Sequence, residues 1–143
     1  MAHEFPSKEW TEAYREAVNA NEAYRAAGKD WTHGTVAMVV KADPALGIER
    51  DMGMLLDVEH GVCRGTKYLE GMEAVEAESP AFVIVATYAR WKEVIHGDVD
   101  PIKAMMQGKL ELTKGHLPTM LRFVESSRQL VASAQNVPTT FLD

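Results

Sequence analysis

The stretch FVIVATYARWKEVIHGDVDPIKAMMQGKLELTKG, residues 82–115, contains the signals that decide the fold. It begins with a short, fully apolar run, which is typical of a strand buried on both faces. A helix is predicted over about residues 87–96, because Gly97 supplies a C-terminal stop. Asp100 and Pro101 predict the cap and the first residue of a second short helix. The closing KLELT alternates apolar and polar residues and predicts a strand with one solvated face.

Upstream of this stretch, the sequence predicts a leading helix followed by strands. Ser7 can cap a helix that begins at Lys8 and ends at Gly28, with its apolar residues along one face. The β-branched run TVAMVVKA, residues 35–42, and the alternating run that begins at Asp51 each predict a strand. A turn after the second run predicts an antiparallel hairpin, and the polar GMEAVEAESP predicts a connecting segment.

The C-terminal part predicts one long helix over about residues 117–134, whose apolar side chains fall close to one stripe. The order of helix, strands, two short helices, strand and long helix predicts an α+β fold. In that fold an antiparallel sheet is covered by helices on one side. A length of 143 residues predicts one domain over residues 1–143, with an added N-terminal helix at residues 6–28 packed on it.

Composition and charge narrow the possible functions. The formal net charge is −6, and phosphate binding draws on concentrated positive charge, so no nucleic-acid partner is predicted. The same acidity favours at most transient contact with a membrane. Cys63 is the only cysteine, which excludes an intrachain disulfide and favours a reducing compartment. Because neither a secretory leader nor a membrane-spanning run is recognisable, a cytoplasmic location is predicted.

The candidate catalytic and metal-binding residues have simpler structural explanations. His60 and Cys63 lie three positions apart, but a metal site would need two further ligands, and a lone cysteine is ordinarily a small buried hydrophobe. Asp98 and Asp100 fit a turn and a helix cap better than an acid–base pair. The sequence therefore predicts no catalytic residue, metal site or cofactor. An enzyme that acts on a lipid through His60, Asp98 or His116 stays as an alternative.

Residues 82–115 as a whole resemble the sterol carrier protein 2 family of lipid-binding domains. The resemblance rests on a strand followed by a Trp-bearing helix, GDVDP, a short helix with paired Met, and GKLEL and KG before the closing helix. The leading W..AY..AVNANEAY..A...W resembles stand-alone prokaryotic members with an added N-terminal helix. The resemblance implies about five largely antiparallel strands and an apolar tunnel that binds acyl chains, sterols or similar lipids. His116 departs from the family pattern, in which Asn or Asp often caps the last helix.

An apolar layer between helices and sheet is ordinarily a filled core, but the resemblance favours a pocket. Methionine adapts its shape to irregular cavities, which makes the methionines natural candidates to line it. The predicted ligand-binding residues are Met52, Met54, Leu56, Trp91, Ile95, Met105, Met106, Leu110, Met120, Leu121, Val124 and Val131. Lys109 and Lys114 are candidate contacts for a head group. Trp91 either wedges its helix onto the sheet or forms part of the ligand wall.

These observations lead to two main hypotheses. The leading one is non-enzymatic binding or transfer of a lipid or another hydrophobic small molecule in the tunnel. The alternative is a protein interaction or dimerisation module, in which the same apolar helix faces bury against a second copy or a partner enzyme. A homodimer is one assembly that this alternative allows.

Overall fold

A computed structural model describes residues 2–142 as alternating strands and short helices. The chain begins with β1 (His3–Glu4), α1 (Lys8–Ala20), α2 (Glu22–Ala27), β2 (Val36–Val40), β3 (Met52–Glu59), β4 (Val62–Glu70) and α3 (Met72–Ala77). It continues with β5 (Phe82–Ala86), α4 (Tyr88–His96), α5 (Pro101–Met106), β6 (Glu111–Lys114), α6 (Leu117–Arg122), α7 (Val124–Ala132) and β7 (Thr139–Thr140). None of the helices within the described residues is both long and apolar enough to cross a membrane.

Strands β2 to β6 form one five-stranded sheet in the order β4-β3-β2-β5-β6. Neighbouring strands are antiparallel except β2 and β5, which run parallel. The predicted α+β fold with a largely antiparallel sheet is therefore confirmed. The apolar run of residues 82–86 is an interior strand between β2 and β6, and all of its residues are buried. The ends of the chain add a pair that the sequence did not predict, since β1 runs parallel to β7.

The two faces of the sheet are covered to different extents. On one face, side chains such as Met38 and Ile84 share a large core with aromatic residues of α1 and α4, including Trp10 and Trp91. The alternation of strand residues places the other set of side chains on the opposite face, where they form a smaller cluster around Val39. The main helical layer therefore lies on one side, as predicted, and the second side is also partly covered.

Helix α3 provides that second cover and corrects the prediction of a plain connecting segment. Its Val75 is fully buried against the sheet in the smaller cluster. Helix α3 can lie this close to strand β3 because residue 53 is a glycine. A Cβ atom at Gly53 would overlap Val75 Cγ2. One buried valine and a matching glycine thus stabilise a helix in a segment whose composition is mostly polar.

The two short helices of the middle segment start and stop as predicted. The Thr87 hydroxyl accepts the Arg90 amide hydrogen at 3.2 Å, and Gly97 ends α4 in the left-handed conformation. Asp100 caps α5, where its carboxylate accepts the Ile102 amide hydrogen at 3.4 Å. The caps at Gly97 and Asp100 are local, which explains why sequence spacing alone locates them.

The prediction of one long C-terminal helix is wrong, because the helix breaks at Phe123. The backbone of Phe123 leaves the helical region, with φ −114° and ψ 42°, and separates α6 from α7. Its ring packs 5.1 Å from the Trp31 ring and 5.3 Å from the His33 ring, measured between centroids. The aromatic contact to the segment before β2 accompanies a break in the helix that the apolar stripe does not reveal.

The predicted N-terminal helix is also divided. Asn21 has an extended backbone that ends α1, and its side-chain oxygen accepts the amide hydrogens of Ala23 and Tyr24 at the start of α2. Its amide nitrogen Nδ2 donates to the Ser133 hydroxyl at 3.0 Å. Asn21 therefore caps α2 and ties it to the C-terminal helical segment, which consists of α7 and the short 3-10 helix Ser133–Asn136 that follows it.

Candidate ligand-binding cavity

An apolar cavity lies between the sheet and the helical layer. Its volume is about 30 Å³, which is room for about two water molecules and too little for a lipid chain. Its walls come from strands β2, β3 and β5, from helices α2 and α4 to α7, and from the connecting segments. The lining residues are Tyr24, Trp31, Val36, Met38, Val58, Ile84, Trp91, Pro101, Met105, Leu110, Met120, Ser126, Ser127, Leu130 and Val131.

A second, smaller cavity of about 10 Å³ lies under α1. It is lined by Phe5, Trp10, Tyr14, Met38, Met54, Trp91, Val94, Ile95, Val131 and Ala134. Met38, Trp91 and Val131 line both cavities and therefore stand between them.

Trp91 holds its helix on the sheet and also lines both cavities, whereas its contact with a ligand stays a prediction. Its indole nitrogen Nε1 donates to the Val39 carbonyl oxygen at 2.8 Å, which fixes α4 on strand β2. Its ring is 3% exposed and forms part of the wall of both cavities. The residue therefore holds the helix on the sheet and shapes the space between them.

The first cavity contains a small polar site in otherwise apolar walls. Tyr24, Ser126 and Ser127 are the hydroxyl-bearing residues among the described residues that line it. Burial raises the pKa of Tyr24 to about 12, so the phenol stays protonated at neutral pH. None of the described residues that line this cavity carries a charged side chain.

The sequence-predicted binding residues divide into three groups. Trp91, Met105, Leu110, Met120 and Val131 line the first cavity, and Met54 and Ile95 join the wall of the second. Met52, Leu56, Met106, Leu121 and Val124 line neither cavity. Leu56 is fully buried in the core, whereas Met106 and Leu121 are 67% and 39% exposed. That the lining residues bind a ligand stays a prediction.

Sequence reasoning missed several lining residues, and one signal could have found two of them. Helical spacing places Ser126 and Ser127 on the same face of α7 as Phe123 and Leu130, and this face is buried at both serines. The serines lie in the stripe that the apolar residues define. The sequence prediction followed only the apolar members of that stripe.

The other polar candidates lie away from this cavity. Lys109 and Lys114 are exposed and line no part of it. His60 is held in a turn, with its ring nitrogen Nδ1 2.9 Å from the Lys29 carbonyl oxygen. Burial raises the pKa of the Cys63 thiol to about 11, which leaves it protonated at neutral pH. Within residues 2–142, no group of three or more His, Cys, Asp or Glu side chains is arranged to hold a metal ion.

An ion pair joins α5 to α7 beside the cavity. Arg128 donates from Nε and Nη2 to the two carboxylate oxygens of Asp100, at 3.1 and 3.0 Å. The hydrogen bond from Arg128 lowers the pKa of Asp100 below its ordinary value. Since Asp100 also caps α5, the pair fixes the start of the helix that places Met105 in the cavity wall.

Replacing Arg128 with Gln is expected to speed amide hydrogen exchange in α5 and to lower the free energy of unfolding at pH 7. Because the folded-state pKa of Asp100 is lowered, the stabilisation is present above the ordinary Asp pKa of about 3.9 and is lost as pH falls through the folded value. Urea unfolding between about pH 7 and pH 3 should therefore show the difference between wild type and variant shrinking in acid.

The matched control is Arg122→Gln, which removes an exposed charge that forms no ion pair with the described residues. If the free energy of unfolding of Arg128→Gln differs from that of the wild type by the same amount at pH 3 and at pH 7, the Arg128–Asp100 ion pair does not have this role.

Comparison with known proteins gives a consistent result. The sequence model of the SCP-2 sterol transfer family matches residues 15–125. A crystal structure of sterol carrier protein 2 is 39% identical, with a TM-score of 0.84, over 92% of this chain and 97% of that one. A conserved hypothetical protein of Thermus thermophilus, described as possibly a sterol carrier protein, is 38% identical, with a TM-score of 0.83, over 94% and 90% of the two chains.

A more distant structure shares the fold alone. Sterol carrier protein 2 from Yarrowia lipolytica, in its apo form, is 13% identical, with a TM-score of 0.54, over 88% of this chain and 89% of that one. None of the curated proteins compared with the chain matches it at a significant level.

Proposed function

Because the chain belongs to the SCP-2 sterol transfer family, we propose that it is a non-enzymatic carrier that holds a hydrophobic small molecule between its sheet and its helices. Family membership supports lipid or sterol binding or transfer as the general activity. The observation that supports the location is the uncharged cavity of about 30 Å³ between the sheet and α4 to α7. The proposed ligand is an acyl chain, a sterol or a molecule of similar hydrophobicity.

Binding requires the cavity to widen, and the short helices supply the moving parts in this proposal. Met105 of α5 and Met120 of α6 form part of the wall. Helix α5 lies between Gly97 and Gly108, which adopt φ of +84° and +76° and can absorb changes of backbone direction. Helices α5 and α6 each span only six residues, so each can move as a unit while the sheet stays in place.

The C-terminal helical segment forms the side of the cavity that stays in place when the short helices move. The Tyr14 hydroxyl donates to the Leu130 carbonyl oxygen at 2.5 Å, and Asn21 donates to the Ser133 hydroxyl at 3.0 Å. These buried and part-buried bonds hold α1 and α2 against the C-terminal helical segment. Each ligand methylene group that enters the widened cavity then contributes about 0.8 kcal/mol to the free energy of binding through its removal from water, before the cost of ordering the ligand and the protein.

Native mass spectrometry of the protein purified without denaturant tests the proposal directly. The expected result is one bound lipid-like mass per chain, lost on denaturation, or stoichiometric uptake when fatty acids, fatty alcohols, sterols or phospholipids are added. A protein that is empty as purified and takes up none of these classes would contradict the carrier function.

A further inference from the structure

We infer that a hydrophobic ligand enters and leaves the cavity past α6, which acts as a lid held closed by the packing of Phe123 on Trp31. The inference rests on the proposed function and deepens it, because it states which of the two short helices opens and what keeps it closed. Helix α6 contributes Met120 to the cavity wall, so an outward movement of this helix would expose the interior.

Helix α6 lacks the polar contacts that hold the other helices of the cavity wall. Its hydrogen bonds join only residues 116–123, and none of its residues forms an ion pair with the described part of the chain. In contrast, Trp91 bonds α4 to β2, the Arg128–Asp100 pair joins α5 to α7, and Asn21 bonds α2 to the C-terminal helical segment. Opening any of these other helices would break such a bond, whereas opening α6 separates only packed side chains.

The C-terminal end of α6 packs on an aromatic residue that is itself part of the cavity wall. The Phe123 ring lies nearly perpendicular to the Trp31 ring, with 5.1 Å between their centroids. Trp31 is 4% exposed, lines the cavity and packs 5.4 Å from the Phe82 ring. Its indole nitrogen donates to the Gly34 carbonyl oxygen at 3.0 Å. Trp31 is therefore fixed in place, and the Phe123 ring is the part that would leave it when α6 opens.

The N-terminal end of α6 provides a hinge. Gly115 has φ of +110°, which residues with a side chain rarely adopt, and a Cβ atom there would overlap the Phe82 ring. The chain can therefore change direction at Gly115, and α6 can rotate about this point once the Phe123 ring leaves Trp31. Phe123 has φ −114° and ψ 42°, outside the helical region, so α7 can keep its own contacts while α6 moves.

Removal of the Phe123 ring tests the lid on the full chain. We expect Phe123→Ala to take up and release NBD-stearate about tenfold faster than the wild type, because the ring contacts with Trp31 and His33 are lost. The lid closes again over the bound ligand, so both rates rise together and the dissociation constant changes less than about threefold. Stopped-flow fluorescence measures uptake on mixing with the probe and release on mixing with excess unlabelled stearate. NBD-cholesterol replaces the probe if NBD-stearate does not bind to the wild type.

The matched control is Phe141→Ala. Phe141 is also half-buried among aromatic residues, with its ring 4.9 Å from the His96 ring, but it lines neither cavity and makes no ring contact with Phe123. Its uptake and release rates should equal those of the wild type. If circular dichroism shows that Phe123→Ala is unfolded, Phe123→Leu replaces it, because leucine keeps apolar volume at the site without the ring contacts.

Amide hydrogen exchange of the unliganded protein gives a second measurement that needs no ligand. The hydrogen-bonded amides of α6 should exchange faster than those of α4, α5 and α7, because α6 opens without breaking contacts to them other than packing. In the folded Phe123 variant, exchange in α6 should become faster still, whereas exchange in α4 and α5 should stay as in the wild type.

The outcomes separate the lid from the carrier function on which it rests. Unchanged uptake and release rates in the folded Phe123 variant, or an equal acceleration in Phe141→Ala, would overturn the inference and leave the carrier function standing. Exchange in α6 as slow as in α7 would do the same. Failure of the wild type to bind both probes would count against the carrier function, and the lid would be rejected with it.

Discussion

Replacing Met105 with Trp is expected to weaken lipid binding about tenfold or more, whereas the same replacement at Met106 should leave it unchanged. Met105 is half-buried at the end of α5 and forms part of the cavity wall. An indole at that position occupies the limited space into which a ligand must pass. Met106 is the adjacent residue, but it is 67% exposed and lines neither cavity.

The two variants form a matched pair, because the same side chain is added at neighbouring positions of one short helix. Affinity for a fluorescent fatty acid or fatty alcohol, measured by titration, gives the comparison, and thermal unfolding reports whether each variant is folded. Equal affinities for the two folded variants would place the ligand outside this cavity. A larger loss at Met106 would place it on the outer face of α5.

Replacing Trp91 with Ala is expected to lower the free energy of unfolding by about 3–5 kcal/mol, the usual cost of deleting a large buried aromatic side chain. Trp91 is 3% exposed and packs between the two cavities, so its removal would leave a larger void in the main core. The replacement Trp91→Phe keeps most of the ring but removes the Nε1 donor from the Val39 carbonyl oxygen. That loss should cost about 1–3 kcal/mol, because the acceptor is buried.

Urea unfolding of the three proteins separates the packing role of the indole ring from its hydrogen bond. If Trp91→Phe is as stable as the wild type, the bond to Val39 does not fix α4 on the sheet. If Trp91→Ala is as stable as Trp91→Phe, the void closes through movement of its neighbours. In that case the side chains that line the two cavities can rearrange to fill the space that Trp91 leaves.

Local sequence signals predicted the parts of the fold that depend on neighbouring residues. The caps at Gly97 and Asp100 and the buried run of β5 are of this kind. The breaks at Asn21 and Phe123 were missed because long-range contacts accompany them. The apolar residues on both sides of each break keep helical spacing, so the period gives no warning that the helix ends there.

The candidate site was predicted only in part, because periodicity indicates which side of a helix is buried and not where packing is incomplete. Met105 and Met106 are chemically identical neighbours, yet only Met105 reaches the cavity. Leu56 was assigned to the ligand wall because it lies on the correct face of its strand. It is instead fully enclosed by core side chains, a distinction that depends on three-dimensional packing.

Because the cavity is too small for a lipid chain, a carrier function would make the apparent affinity depend on how often the cavity widens. If only a fraction of the unliganded molecules is open, the apparent dissociation constant equals the intrinsic one divided by that fraction. An opening that costs about 1.4 kcal/mol thus weakens apparent binding about tenfold without altering any ligand contact. Substitutions that favour the open form, such as removal of the Arg128 side chain, would therefore tighten binding from outside the cavity.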